Sequence, residues 1–230
     1  MVRRLLVAFC FLLPVFAPAQ FVFPKPEYHE HDGNVYQEDP FVVHYRHEFF
    51  SVFKGDFTRF DKAYAEIKAM VEKDPKDAKA LVWLGNGDTV KAGVLWMQGK
   101  KDESIALMKS SRPLLDKAVA LKPDDPNIFM MRAVTLYIQG QNWPAETIPK
   151  ENWIKLREDC ENLIRLMGDK MAKASVHVRG ETYGELGVAN LKLGDDARAK
   201  TAFEKVIELC PGTDYETRAR KELEALASKR

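Results

Sequence analysis

The sequence predicts an all-α protein built as a stack of antiparallel helix pairs, and three observations lead to that class. The stretch Glu181–Pro211 carries two apolar stripes of helical period, with Tyr183, Leu186, Gly187 and Leu191 on the first and Ala199, Phe203, Val206 and Ile207 on the second. Apolar residues three and four apart fall on one face of a helix. Gly194 separates the two stripes and Pro211 closes the second, as expected of residues that end helices. A pair of this kind cannot bury its stripe alone, so it demands further pairs stacked upstream.

The first nineteen residues differ in kind from the rest. Arg3 and Arg4 precede an apolar run, Leu5–Phe16, and Ala17-Pro18-Ala19 supplies small residues for cleavage. This is the pattern of a secretory signal peptide over 1–19, cut between Ala19 and Gln20. The run is shorter than the roughly 20 residues a membrane-spanning helix needs. The bulky Phe9 before Cys10 argues against lipid attachment there. These features place the mature chain in the periplasm or outside the cell, with no membrane span after cleavage.

Composition narrows the function classes. The chain has 46% hydrophobic and 30% charged residues, as in soluble globular proteins. Acidic and basic residues nearly cancel, which gives no net basic face for nucleic acid. Cys160 and Cys210, the cysteines beyond the leader, sit on apolar faces of different helix pairs and read as separate buried thiols, with a disulfide between them as the alternative.

In chain order, residues 20–40 contain Pro24, Pro26, Gly33 and Pro40 without periodicity and read as an extended segment. The helical domain occupies 41–229. Phe41–Phe53 reads as a helix closed by Gly55, and Asp56 or Thr58 caps the next, whose stripe is Phe60, Tyr64, Ile67, Met70 and Val71. Ala78 opens a long helix running to the turn Gly99-Lys100-Lys101-Asp102, and its partner ends in the string Leu114–Pro126. Asn127–Ile138, closed by Gly140, leads into the proline-containing insertion 141–150, with Trp143 and Trp153 lying against the helices. The next helix is Trp153–Met167. Residues 170–211 form the last pair, with a lengthened first helix, and Thr213 or Asp214 caps a terminal helix to Ser228 whose charged face suits an outer cap.

The order Leu186-Gly187, Gly194, Ala199, Phe203 and Pro211 resembles the tetratricopeptide repeat, as does the run Leu115, Ala118, Leu121 and Pro123. The resemblance implies a right-handed superhelix of about four pairs plus a capping helix. The turn glycines Gly55, Gly99, Gly140 and Gly194 stand farther apart than the family's period of about 34 residues, so the pairs are longer than standard. The resemblance also implies a non-enzymatic scaffold that binds a protein or peptide on the concave face of the first helices. By register, that groove holds Asn86, Thr89 and Val90, then Met130, Val134 and Tyr137, then Gly184, Val188 and Leu191. The basic clamp with which some members hold a peptide carboxylate is missing. Asn86 matches one clamp position, but Val82, Glu181 and Glu185 stand where its Lys and Arg would be. A small apolar ligand, held by a transporter-associated accessory protein, is the alternative occupant.

Motifs of chemistry are sparse. Four histidines, His29, His31, His44 and His47, cluster near the start, at spacings that can bind Zn²⁺ or Cu²⁺. The spacing matches no zinc-finger or metalloprotease pattern, and the competing reading is a polar tail and an exposed helix face. The glycines of Gly85–Lys101 do not make a phosphate loop, because the spacing is wrong and Lys101 stands where Ser or Thr would hold Mg²⁺. Neither a nucleophile elbow nor a His-Glu-x-x-His motif occurs, so the sequence implies no cofactor.

Overall fold

A computed structural model of the chain describes residues 39–228. Among these residues the backbone forms nine α-helices. They are α1 (Pro40–Phe50), α2 (Phe57–Lys73), α3 (Ala78–Met97), α4 (Lys101–Leu121), α5 (Pro126–Asn142), α6 (Lys150–Met167), α7 (Val176–Leu193), α8 (Asp196–Leu209) and α9 (Asp214–Ser228). The expected signal peptide, nearly all of the 20–40 segment, and His29 and His31 lie outside the described residues.

Local sequence fixes most helix ends. Asp39, Asp56, Asp77, Asp125, Ser175 and Asp195 are N-caps whose side chains accept backbone N–H groups of the first turn. Thr213 does the same for α9 through the N–H of Glu216. Pro40 and Pro126 occupy the first helical position, where a missing N–H is harmless. Pro40 is therefore helical, where the last residue of the extended segment 20–40 was expected. Gly55, Gly99 and Gly194 end their helices or turns with φ near +80°, at 80°, 79° and 81°.

Gly140 corrects the expected boundaries. It does not close a helix, since α5 continues to Asn142. A Cβ there would lie 2.1 Å from the Trp153 ring, so Gly140 is a packing glycine that lets α6 approach α5. The same device recurs along the stack. Tyr64 of α2 covers Gly87 of α3, Phe203 of α8 covers Gly187 of α7, and Tyr215 of α9 covers Gly180 of α7. Each missing side chain admits a ring from the neighbouring helix, which tightens packing at the price of a weaker helix backbone. The segment before α7 is also corrected. Gly168–Lys173 forms a short 3-10 turn, and the first helix of the last pair starts only at Val176.

Consecutive helices pack as neighbours, and the odd-numbered helices also touch one another, α3 on α5, α5 on α7 and α7 on α9. This places α3, α5, α7 and α9 along one side of the stack, with α4, α6 and α8 behind them. Phe49, Phe60 and Trp83 form an edge-on aromatic cluster that seals the α1–α2 end. Trp143 is buried and donates its indole N–H to Ser104 Oγ at 3.0 Å, which ties the 143–149 insertion to α4. Cys160 and Cys210 are free and buried.

Candidate functional site

The positions expected to line a groove divide into three groups. Asn86, Thr89 and Val90 are buried. Asn86 donates to Thr135 Oγ1 at 3.0 Å, and Gln139 Nε2 donates to Thr89 Oγ1 at 2.9 Å. Ser111 of α4 completes this network, accepting from Gln139 at 2.9 Å. The physical reason is that α3 is enclosed by α2, α4 and α5, so the face expected to be open is covered by α5. A helix apolar nearly all round belongs in the interior, and its few polar groups must pair there.

Met130 belongs to a second, small recess, where it meets Val42 and Arg46 of α1, the start of α5, and Val178 of α7. Val134 and Leu191 are half-buried in helix–helix packing. Tyr137, Gly184 and Val188 do come together, on the wall of a cavity of about 200 Å³ between α5, α7, α8 and α9.

The α7 wall of this cavity presents Gly180, Glu181, Gly184, Glu185 and Val188, at helical spacing. Phe203 and Val206 of α8 form the floor, and Tyr215, Arg218, Ala219, Lys221 and Glu222 of α9 form the opposite side. The cavity is thus mainly apolar inside and carries charge near α9. The Arg218 guanidinium lies 5.0 Å from the centre of the Tyr215 ring.

Two carboxyl groups stand one turn apart on α7. Glu181 faces His177 Nε2 at 3.3 Å, and the other ring nitrogen of His177 is 2.8 Å from the Tyr215 hydroxyl. An ionised carboxylate only accepts, so Nε2–H donates to Glu181, and in the neutral ring the Tyr215 hydroxyl donates to Nδ1. Glu185 is different. It is only 6% exposed, and among the described residues its carboxyl has no hydrogen-bond or ion-pair partner. Burial pushes its pKa well above the usual glutamate range, and the negative charges of Glu181 and Asp159 push it the same way. Burial, with Glu185 next in importance, pushes the Tyr137 hydroxyl up to about 12.

Behind Glu185, Asp159 of α6 receives two hydrogen bonds from Arg132 of α5, at 2.6 and 2.7 Å. Arg132 also donates to Asp116 of α4 at 3.0 Å, and Lys155 of α6 reaches the same Asp116 at 2.8 Å. Burial pushes Asp159 up to about 6 despite the guanidinium, and it remains ionised at neutral pH. This network ties α4, α5 and α6 together and commits the Arg132 guanidinium to Asp159 and Asp116.

The sequence had already set Glu181 and Glu185 at clamp positions with the wrong charge. It gave no sign that α9 would fold over them. Phe203 and Val206 were read only as the packing stripe of α8, and the missed residues of α9 are Tyr215, Arg218 and Glu222, whose only signal was the amphipathic pattern of the terminal helix.

Among the described residues, no three His, Cys, Asp or Glu side chains converge as a metal site would require. His44 and His47 are exposed on α1, with His44 edge-on to Tyr45. No helix among the described residues is long and apolar enough to cross a membrane.

No curated protein matches the chain. Residues 180–213, which carry the α7 and α8 walls of the cavity, match the tetratricopeptide repeat family, and the all-helical stack around them is that of a helical-repeat solenoid.

Proposed function

We propose that this chain is an exported, non-enzymatic interaction scaffold that holds a segment of a peptide or protein partner at the cavity between α5, α7 and α9. The observation that carries the reading is the cavity itself. It lies on the side of the stack lined by the odd-numbered helices, and residues matching the tetratricopeptide repeat form its α7 and α8 walls. Repeats of this family commonly bind protein partners. Aromatic and aliphatic walls with a few charged groups at the edge suit a side chain anchored from a larger partner. The leader pattern over 1–19 supports export to a periplasmic or extracellular location.

A small apolar ligand fits the cavity less well. It would leave the Glu185 carboxyl buried without a partner, and an unmade hydrogen bond weakens binding. The test is a selection of peptides from a random display library on the purified chain, followed by binding to Gly184→Trp. A Cβ at Gly184 meets nothing within 4 Å, so the new side chain can enter the cavity without disturbing helix packing. Loss of peptide binding in that variant supports the reading; undiminished binding overturns it.

A further inference from the structure

Two independent features of the cavity point to the chemistry of its occupant. The first is Glu185. It lies on the wall of the cavity, buried to 6% exposure and without a hydrogen-bond or ion-pair partner among the described residues. The charged and titratable groups around it come from every neighbouring helix. Tyr137 approaches from α5, and Asp159 of α6 is committed to Arg132. Glu181, on its own helix, is bonded to His177. Arg218, Lys221 and Glu222 line the α9 side, and Arg218 is drawn over the Tyr215 ring. None of the cations on α9 closes on Glu185.

The second feature is Gly184. Five other helix glycines are accounted for by packing. A Cβ would stand 2.7 Å from Leu115 at Gly85, 2.6 Å from Tyr64 at Gly87, 2.1 Å from Trp153 at Gly140, 2.3 Å from Tyr215 at Gly180 and 2.4 Å from Phe203 at Gly187. At Gly184 a Cβ would meet nothing within 4 Å, and the position opens onto the cavity. A glycine in a helix interior weakens the helix. Here no neighbouring helix uses the space, and what glycine does is keep the cavity clear beside Glu185.

We propose that this cavity takes a single lysine or arginine side chain of a bound peptide, with its methylene stem against Tyr137, Val188 and Tyr215 and its charged head beside Glu185 and Glu181. The proposal rests on the reading of the cavity as a peptide-facing surface and adds the chemistry of the anchor. A volume of about 200 Å³ suits one long side chain, since a cavity of about 150 Å³ already holds benzene. It is too small for a helix, so the partner backbone stays at the mouth. Inside, a cation beside a carboxylate is held more strongly than in water, and the aromatic rings of Tyr137 and Tyr215 favour it further. Burial shifts the empty Glu185 carboxyl toward its protonated form, and a cation beside it shifts it back toward the carboxylate.

The test takes peptides selected from a random display library on the purified chain and measures their affinity by fluorescence anisotropy. The expected result is that binders share one lysine or arginine, and that replacing it with norleucine weakens binding at least tenfold. In Glu185→Gln, which keeps the side-chain shape, the lysine and norleucine peptides should bind equally. The lysine-to-norleucine comparison on the unaltered protein gives a readout that does not depend on a variant folding. Binders abolished by Gly184→Trp yet indifferent to the lysine-to-norleucine change would overturn this inference and leave the scaffold reading standing. Selection of no binders, or only of binders insensitive to Gly184→Trp, would overturn both.

Discussion

Replacing Glu185 with Gln should change the pH dependence of stability more than stability itself. In the folded chain the Glu185 carboxyl is buried without a partner, and burial pushes its pKa well above the usual range, with Glu181 and Asp159 adding to the effect. In the unfolded chain it titrates near the ordinary value of about 4.3. Above that value the unfolded state loses this proton first, so the folded state binds more protons and stability falls as pH rises. The loss begins near the unfolded value and continues up to the folded one. Within that window the slope from one group is about 1.4 kcal/mol per pH unit. Gln cannot ionise, so the variant lacks this slope. Tyr137, Asp159, Glu181, Arg218 and Glu222 surround the position in both proteins, and their contributions largely cancel in the difference. The assay is urea unfolding of both proteins at pH 5 and pH 6. The wild type should lose more stability than Glu185→Gln over that interval, at a slope of up to about 1.4 kcal/mol per pH unit. Parallel pH profiles would refute the claim that Glu185 is buried and unpaired.

Three further substitutions test the packing. Gly140→Ala places a methyl against the Trp153 ring and should destabilise by about 1–3 kcal/mol in thermal or urea melts. Gly184→Ala meets open space in a helix interior and should stabilise by about 0.5–1 kcal/mol in the same melts. Asp159→Ala leaves the buried Arg132 guanidinium with Asp116 as its remaining carboxylate and should destabilise by about 3 kcal/mol, far more than loss of the exposed Arg198–Glu161 pair.

How far the sequence reached depended on whether a residue's role was local. The last helix pair was legible because its stripe, its turn glycine and its closing proline all lie within Glu181–Pro211 and act on near neighbours. The N-caps at Asp56 and Thr213 were legible for the same reason, since a cap bonds a backbone N–H within its own first turn. Gly140 was read as a turn because glycine serves both turns and close packing, and only the Trp153 ring on the next helix distinguishes the two. Asn86 and Thr89 read as groove residues by register with the repeat, which assumes first helices open on their inner face. The structure instead buries them under α5 and satisfies them with Thr135, Gln139 and Ser111. Tyr137 and Val188 were placed on the groove by repeat register, and the structure sets both on the cavity wall. Glu185 was read only as an acidic residue at a clamp position that calls for Lys or Arg. Its burial arises among residues distant in sequence, Tyr137 of α5, Cys160 of α6 and the α9 side of the cavity, and no local periodicity carries that information.

The most direct measurement is an amide ¹H–¹⁵N chemical-shift map of the chain titrated with a selected lysine-containing peptide. The resonances of Gly180, Gly184, Val188 and Tyr215 should move together and saturate at one peptide per chain, while those of α2 and α4 stay in place. Shifts confined to α2, α4 or the exposed faces of α6 and α8 would contradict the assignment of the cavity between α5, α7 and α9 as the binding surface.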